Sequence, residues 1–356
     1  MTAVDSPVPP TALAVGDPAL PVPAGWSSVV GAGGVLPELG RVLGRRVRWL
    51  LWSALAGAFV LTCLEDGLPT DRVVLLGWAL TGLVAHAAVD GWRRVVRLLA
   101  EWVPVAALLL VYDASRGFAD GLGMPVHVTE PAAVDRWLGR GSLPTVMLQQ
   151  HWDADWWKAL AALIYSSHFV VTPLLLCVLW VRNRPLWGRY VRLVLTLSAA
   201  GLLTYVLYPA APPWLAAKDG VIEPVRRLSA TGWDVLGLPH AGALLVGSQG
   251  QVNRVAAVPS LHTAFAVLVC LVLLPVARRA WMRVGLVAYA VLMPVVLVWS
   301  GEHYVIDTLL GAAYAAGVVA AAAGTRPVRT AAVRRLRPRT VPAVPLPRSP
   351  APTVEA

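Results

Sequence analysis

Long apolar runs alternate with short polar joins along this chain, and the alternation predicts its elements. Eight runs come near the ~20 residues a helix needs to cross a bilayer. They lie at approximately 48–64, 72–90, 95–112, 159–181, 190–208, 259–277, 283–300 and 303–323. The pattern predicts an all-α, polytopic transmembrane bundle of about eight helices, with a membrane domain over 45–324. The flanks, 1–44 and 325–356, are rich in Pro with Ala or Val and carry no amphipathic period. They are expected to be disordered tails, the second of them basic. No basic segment leads into an apolar core near the start, so a signal peptide is not expected there.

The joins differ in charge. Basic ones contain Arg93, Arg94 and Arg97, then Arg182 to Arg192, then Arg278 to Arg283, and the tail from Arg326. The others are Glu65 to Asp71, two long segments at 113–158 and 209–258, and a short join at Ser300 to Glu302. Basic joins favour the cytoplasmic face. This places both termini in the cytoplasm of a multi-pass cell-membrane protein. His262 opens the sixth run and His303 the eighth, so both sit at one membrane depth on the non-cytoplasmic side. Of the long segments there, 113–158 carries Trp137, Trp152, Trp156 and Trp157, which suit an amphipathic stretch on the interface. The other opens with Tyr208-Pro209-Ala210-Ala211-Pro212-Pro213-Trp214, whose prolines forbid a continuous helix and suggest a rigid elbow over the outer mouth.

Composition agrees with a bilayer as solvent and with membrane lipid as partner. The chain is 57% hydrophobic and 14% charged, with a net charge of +10, against about a quarter charged in soluble domains. The arginines border apolar runs and report orientation, so nucleic acid is not an expected partner. Cys63, Cys177 and Cys270 all lie in apolar runs at long spacing. Neither a metal site nor a disulfide framework is read from them, and no cofactor is expected. Glu101, inside the third run, stands one turn from Arg97 and is expected to pair with it.

Two polar islands interrupt the apolar sequence, Pro259-Ser260-Leu261-His262-Thr263 and Gly301-Glu302-His303-Tyr304-Val305-Ile306-Asp307. Ionisable residues in such places are costly and so mark function by default. His303 and Asp307 share one helix face. A carboxylate one turn away can take the imidazole N–H, fix the tautomer and raise the nucleophilicity of the other nitrogen. His262 supplies a second imidazole able to protonate a leaving oxygen. Ser260 and the first N–H groups of the sixth run form an anion site. Together these describe phosphoryl transfer through a phosphohistidine without an obligatory metal. The bland alternatives are a structural His303–Asp307 pair between helices, and a cap role for Ser260 and His262. His168, in the fourth run beside Ser166 and Ser167, is either a third site member or an interhelical hydrogen-bonding group. Gly311, Ala312, Ala313, Ala315, Ala316 and Gly317 allow the eighth helix to pack closely in the bundle interior.

PSLHTAF followed by GEHYVIDTLLG resembles the type 2 phosphatidic acid phosphatase superfamily, with its P-S-x-H and later H-x-x-x-D motifs. Tyr112-Asp113 with Arg116, the YPAAPPW elbow, Asn253 and the H-Y-x-x-D form resemble its inositol phosphorylceramide synthase-like branch, over roughly residues 100–320. The resemblance implies a six-helix phosphatase-type core. It implies His303 as nucleophile, Asp307 as its orienting carboxylate, His262 as general acid, and Ser260 against the phosphate. Asn253 would join the phosphate site, and Asp113 is a possible extra member. Val296 and Leu297 stand where the superfamily carries a Ser-Arg pair, and Arg184-Pro185 falls on the cytoplasmic side. Other cations must then hold the phosphate. Arg116 and Arg254 are favoured, with Lys218, Arg226 and Arg227 on the same side. The activity implied is hydrolysis of a lipid phosphate or transfer of a phospho-headgroup such as inositol phosphate. A transporter or flippase using the His/Asp pair is the competing reading. The two separate on whether His262 and His303 face one pocket.

Overall fold

The computed structural model describes residues 35–66, 72–119, 123–239 and 253–324. Every regular element among them is a helix: α1 (Val35–Asp66), α2 (Arg72–Ala88), α3 (Trp92–Ala119), α4 (Thr129–Leu138), α5 (Pro144–His151), α6 (Asp155–Arg182), α7 (Arg184–Leu207), α8 (Pro213–Lys218), α9 (Thr231–Val235), α10 (Leu261–Leu273), α11 (Ala280–Trp299) and α12 (Val305–Gly324). The eight apolar runs correspond to α1, α2, α3, α6, α7, α10, α11 and α12. Five stretches, 92–112 in α3 and the whole of α6, α7, α11 and α12, are long and apolar enough to cross a membrane, and 74–88 and 261–273 are shorter apolar helices. The chain is thus an all-α, polytopic membrane protein. Helix α1 starts at Val35 rather than near 45, because Val35, Leu36, Leu39, Val42 and Leu43 continue a helical apolar period through the expected boundary. The rest of the expected tails, 1–34 and 325–356, lies outside the described residues.

The basic joins converge at one end of the bundle. Asp90, in the turn between α2 and α3, pairs with Arg48 at 2.7 Å and Arg94 at 2.6 Å. Arg94 and Arg184 both lie over the Trp180 ring, at 5.9 and 4.4 Å. Glu101 belongs to this cluster. It pairs with Arg184 and accepts from Trp180 Nε1 at 2.8 Å, which corrects the expectation of an Arg97 partner. Helix packing across 83 residues supplies a better cation than the neighbouring turn. Asn183 joins α6 to α7, and its Oδ1 caps α7 by accepting from Leu186 N–H at 3.1 Å.

The main core lies between α2, α3, α6, α7, α10 and α12, with Leu83, Trp102, Leu176, Leu197, Leu268 and Ala315 buried in it. A second core joins α6 to α11 through Trp157, Met293, Val296, Leu297 and Trp299. Val296 and Leu297, which stand where the resemblance would expect a Ser-Arg pair, are fully buried in this core. Trp157 is core as well. It packs edge-on to Trp152 and Trp299, and Trp299 Nε1 donates to the Trp152 carbonyl at 2.7 Å. The interfacial reading therefore fails for Trp157, while Trp137 and Trp156 are exposed. A hydropathy pattern cannot tell a tryptophan facing headgroups from one facing α11.

The loops at the opposite end are laced by backbone. Ala210 N–H donates to Val255 C=O at 2.7 Å and Ala257 N–H to Ala210 C=O at 3.2 Å. His127 N–H donates to Pro209 C=O at 2.8 Å and Ala211 N–H to His127 C=O at 2.9 Å. The Pro-rich elbow is thus the middle rung between both long loops, and its prolines remove donors the ladder does not use.

Helix α12 comes very close to the start of α10. A Cβ on Gly311 would meet the Ser260 carbonyl oxygen at 2.2 Å, whereas a Cβ on Gly317 meets nothing within 4 Å. Gly311→Ala is expected to force the helices apart and destabilise by about 1–3 kcal/mol, read as a lowered unfolding temperature in detergent. Gly317→Ala is expected to leave that temperature unchanged or raise it.

Candidate active site

Helix α10 begins with Ser260 as N-cap, its Oγ accepting from Thr263 N–H at 3.4 Å. Ser260 N–H donates across the bundle to the Asp307 carbonyl at 2.9 Å. Tyr205 Oη, from α7, donates to the Pro259 carbonyl at 2.9 Å. These bonds hold the first turn of α10, and with it His262, against α7 and α12. Ser260 is fully buried and does not line the cavity described below.

His303 and Tyr304 immediately precede α12. Asp307 Oδ2 lies 3.5 Å from His303 Nδ1 and accepts from Tyr304 N–H at 2.8 Å. The contact to His303 is long for a hydrogen bond, and the better bond is the one to backbone. Asp307 is fully buried and its Oδ1 has no hydrogen-bond partner among the described residues. Pointing Nδ1 at this carboxylate leaves Nε2 of His303 for the cavity.

The start of α12 is itself capped from far away in sequence. Asp135, on α4, accepts from Val305 N–H at 2.8 Å and from Ile306 N–H at 3.0 Å, one on each carboxylate oxygen. It is fully buried. Its role was not legible beforehand, because nothing local marks a loop aspartate as the cap of a helix 170 residues away. Burial raises its pKa from 3.8 to about 6, the neighbouring Asp307 carboxylate adds to the rise, and the two N–H donors oppose it.

Three histidines meet at the head of a cavity of about 520 Å³. The His262 and His303 ring centroids are 5.8 Å apart, and His168 lies 4.1 Å from His262. Tyr165 stacks on His262 at 5.2 Å. All three histidines line the cavity, together with Arg227, Glu302, Trp214, Asn253 and Arg254. Asn253 Oδ1 accepts from Val255 N–H at 3.0 Å, while its buried Nδ2 has no hydrogen-bond partner among the described residues. Lys218 ends α8, exposed and away from the lining. Asp113 and Arg116 fall on the last turns of α3, and their side chains lie outside the described residues. Tyr112 beside them lines the cavity.

Arg227 is the cation that selection among the candidates did not favour. Its Nε donates to Glu302 Oε1 at 2.7 Å and Nη2 to Oε2 at 3.3 Å, while Ser229 Oγ donates to Oε1 at 2.6 Å. The guanidinium carbon lies 4.6 Å from the Trp214 ring, and that of Arg254 lies 5.5 Å from the same ring. Backbone fixes this corner. Leu228 N–H donates to Ser300 C=O at 2.9 Å and Trp214 N–H to Gly301 C=O at 3.1 Å. Gln149 Nε2 donates to the Arg226 and Trp299 carbonyls at 2.8 and 2.9 Å. Gly301 has φ of +77°, and a Cβ there would meet the Arg226 carbonyl at 2.8 Å, so glycine is needed twice over. The buried Glu302, next to His303, was the one available signal for Arg227, since a buried carboxylate demands a partner.

The PAP2 superfamily pattern matches residues 131–321. The chain belongs to the PAP2 superfamily. The phosphoinositol dihydroceramide synthase of Bacteroides thetaiotaomicron is 30% identical to it over 282 residues, which are 76% of this chain and 81% of that protein. No solved structure matches it. The resemblance to the superfamily and to its inositol phosphorylceramide synthase-like branch therefore holds. Within the matched span of this PAP2 protein lie all three histidines, Asp307, Asp135 and the Arg227 corner, whereas α2 and α3 precede it.

The raised pKa of Asp135 has a signed consequence. The folded chain holds this proton up to about pH 6, whereas the unfolded chain releases it near 3.8. Stability from this group is therefore fully present below about pH 4 and is lost as pH rises through 6. The unfolding temperature in detergent is expected to rise on acidification from pH 7 to pH 5, and Asp135→Asn is expected to flatten that slope.

Proposed function

We propose that this PAP2 protein transfers a phospho-headgroup, of the phosphoinositol type, from a phospholipid donor to a lipid hydroxyl through a phosphohistidine on His303. The observation carrying the proposal is that His262 and His303, with ring centroids 5.8 Å apart, face one cavity that is cationic at its head and apolar beyond it. The relative from Bacteroides thetaiotaomicron, whose name makes it a phosphoinositol dihydroceramide synthase, supports transfer over hydrolysis. A transporter reading is disfavoured, since it had no reason to bring both histidines to one pocket.

His303 Nε2 attacks phosphorus, and the bond to the donor lipid oxygen breaks. His262 gives its proton to that oxygen. Asp307 steadies the imidazolium by accepting from Nδ1–H. Neutral diacylglycerol-type alcohol leaves, and the acceptor hydroxyl takes its place. His262, now a base, removes the hydroxyl proton, and the acceptor oxygen displaces His303 from phosphorus. Arg227 and Arg254 neutralise the phosphoryl oxygens in place of the arginine missing at Leu297. Closure of the head by the elbow keeps water from the intermediate. Positive-inside placement of the arginine-rich end puts this site on the non-cytoplasmic face, with both termini in the cytoplasm.

The test uses membranes bearing the full chain, labelled phosphatidylinositol and a ceramide-type acceptor. The expected product is a new phospholipid rather than free phosphate. His262→Ala is expected to lower the rate by about 10²–10⁴-fold, and His303→Ala by at least as much. Product formation that survives His303→Ala would overturn the nucleophile, and free phosphate as the main product would turn the reading to hydrolysis.

A further inference from the structure

The cavity is far longer than a phosphoryl group requires. From the histidines it continues between membrane helices along walls of Leu75, Leu76 and Ala79 on α2, Leu109 on α3, and Pro173 and Leu176 on α6. Tyr112 lines its head and Trp102 its far part, both on α3. Ten residues of α-helix separate them, about 15 Å at the usual rise. Trp102 is 2% exposed and packs against Trp187 at 6.1 Å between centroids. It is a firm floor rather than a movable side chain.

We infer that this apolar arm is an acyl-chain gauge, in which one chain of a lipid substrate lies between α2, α3 and α6 and is stopped by Trp102. The inference rests on the proposed reaction for its headgroup end. Its walls are mostly hydrocarbon, with Thr172 and Ser198 as polar exceptions, and the charged groups gather at the other end with the histidines. An occupant must therefore carry a phosphate or hydroxyl at one end and an extended apolar segment at the other. Continuity of the arm with the histidine head makes the occupant a lipid being processed rather than a bystander. Ala79 is the small residue in the α2 wall, set one helical turn from Leu75 on the same face. A larger side chain there meets the lipid chain before it meets the core. Helices α2 and α3 precede the part of the chain that matches the PAP2 pattern, residues 131–321. Two of the three walls of the gauge thus lie outside that pattern, while α6 and the chemistry lie inside it.

The experiment measures turnover and thermal stabilisation of the full chain with lipids of one headgroup and graded acyl length. In Ala79→Phe, the ratio of long-chain to short-chain turnover is expected to fall at least tenfold, the scale on which apolar pockets discriminate methylenes. In Trp102→Leu, the optimum is expected to move to longer chains. Thermal stabilisation by the same lipids is expected to follow the same order, and it reads the gauge without any turnover. A length profile unchanged from wild type in both variants, whether activity is kept or lost, overturns the gauge. Absence of headgroup transfer with length-dependent stabilisation intact would instead sink the proposed reaction and leave the gauge standing.

Discussion

One backbone hydrogen bond joins the two halves of the site, the 2.9 Å bond from Ser260 N–H to the Asp307 carbonyl. Inside a bilayer an unpaired peptide group has no water to turn to. The first N–H groups of α10 must therefore find protein partners, and α12 supplies one. That is possible only because Gly311 lets the Ser260 carbonyl come within the space a methyl would fill. With the two backbones locked, the positions of His262 and His303 follow from helix geometry. The separation of their rings depends on backbone contact, not on either imidazole finding the other.

The same economy governs the rim of the site. Helix α12 starts at membrane depth with its N–H groups pointing toward the loops, and Asp135 satisfies two of them. A carboxylate at a helix N-terminus also meets the positive end of the helix dipole, which offsets part of its desolvation. Two buried carboxylates thus lie near one helix start, Asp135 holding the backbone and Asp307 facing His303. Their mutual repulsion is tolerable because each is bonded to peptide N–H groups. Gln149 and the Pro-rich elbow extend the arrangement by tying the Arg226–Leu228 and Ser300–Glu302 segments together. The cavity-lining histidines and Arg227 are consequently held by segments that are themselves held by backbone, which fixes their geometry.

Hydropathy and charge alternation made the eight helices legible, because bilayer thickness and arginine placement are properties of single segments. The pairing of His262 with His303 was legible for the same reason, since both open runs that start on one side. What lies between segments was not. Glu101 found Arg184 instead of Arg97, and Trp157 found Trp299 instead of the interface, because sequence gives the depth of a residue but not which neighbour it turns toward. Asp135 was invisible since its partners are bare peptide groups, which carry no sequence signature. Arg227 stood among five candidate cations, of which Arg116 and Arg254 were favoured for adjoining a helix end and a motif, because its anchor Glu302 is distant in sequence.

The loss of the superfamily arginine now has a structural counterpart. In this chain position 297 is a leucine in the core between α6 and α11, and the cations proposed to hold the phosphate, Arg227 and Arg254, come from the segment that follows the Pro-rich elbow. A guanidinium anchored by Glu302, which Ser229 also holds, and laid on Trp214 loses little entropy when it meets an anion, and in a dry site its charge is screened less than in water. In the proposed reaction a clamp on a loop would also divide the labour of the molecule. The starts of α10 and α12 would carry the histidine chemistry, the loops around Arg227 the charge recognition, and α2, α3 and α6 the apolar arm. The parts are joined through backbone at Ser260, Ser300 and Gly301 and also through the Arg227–Glu302 pair, which itself lines the cavity.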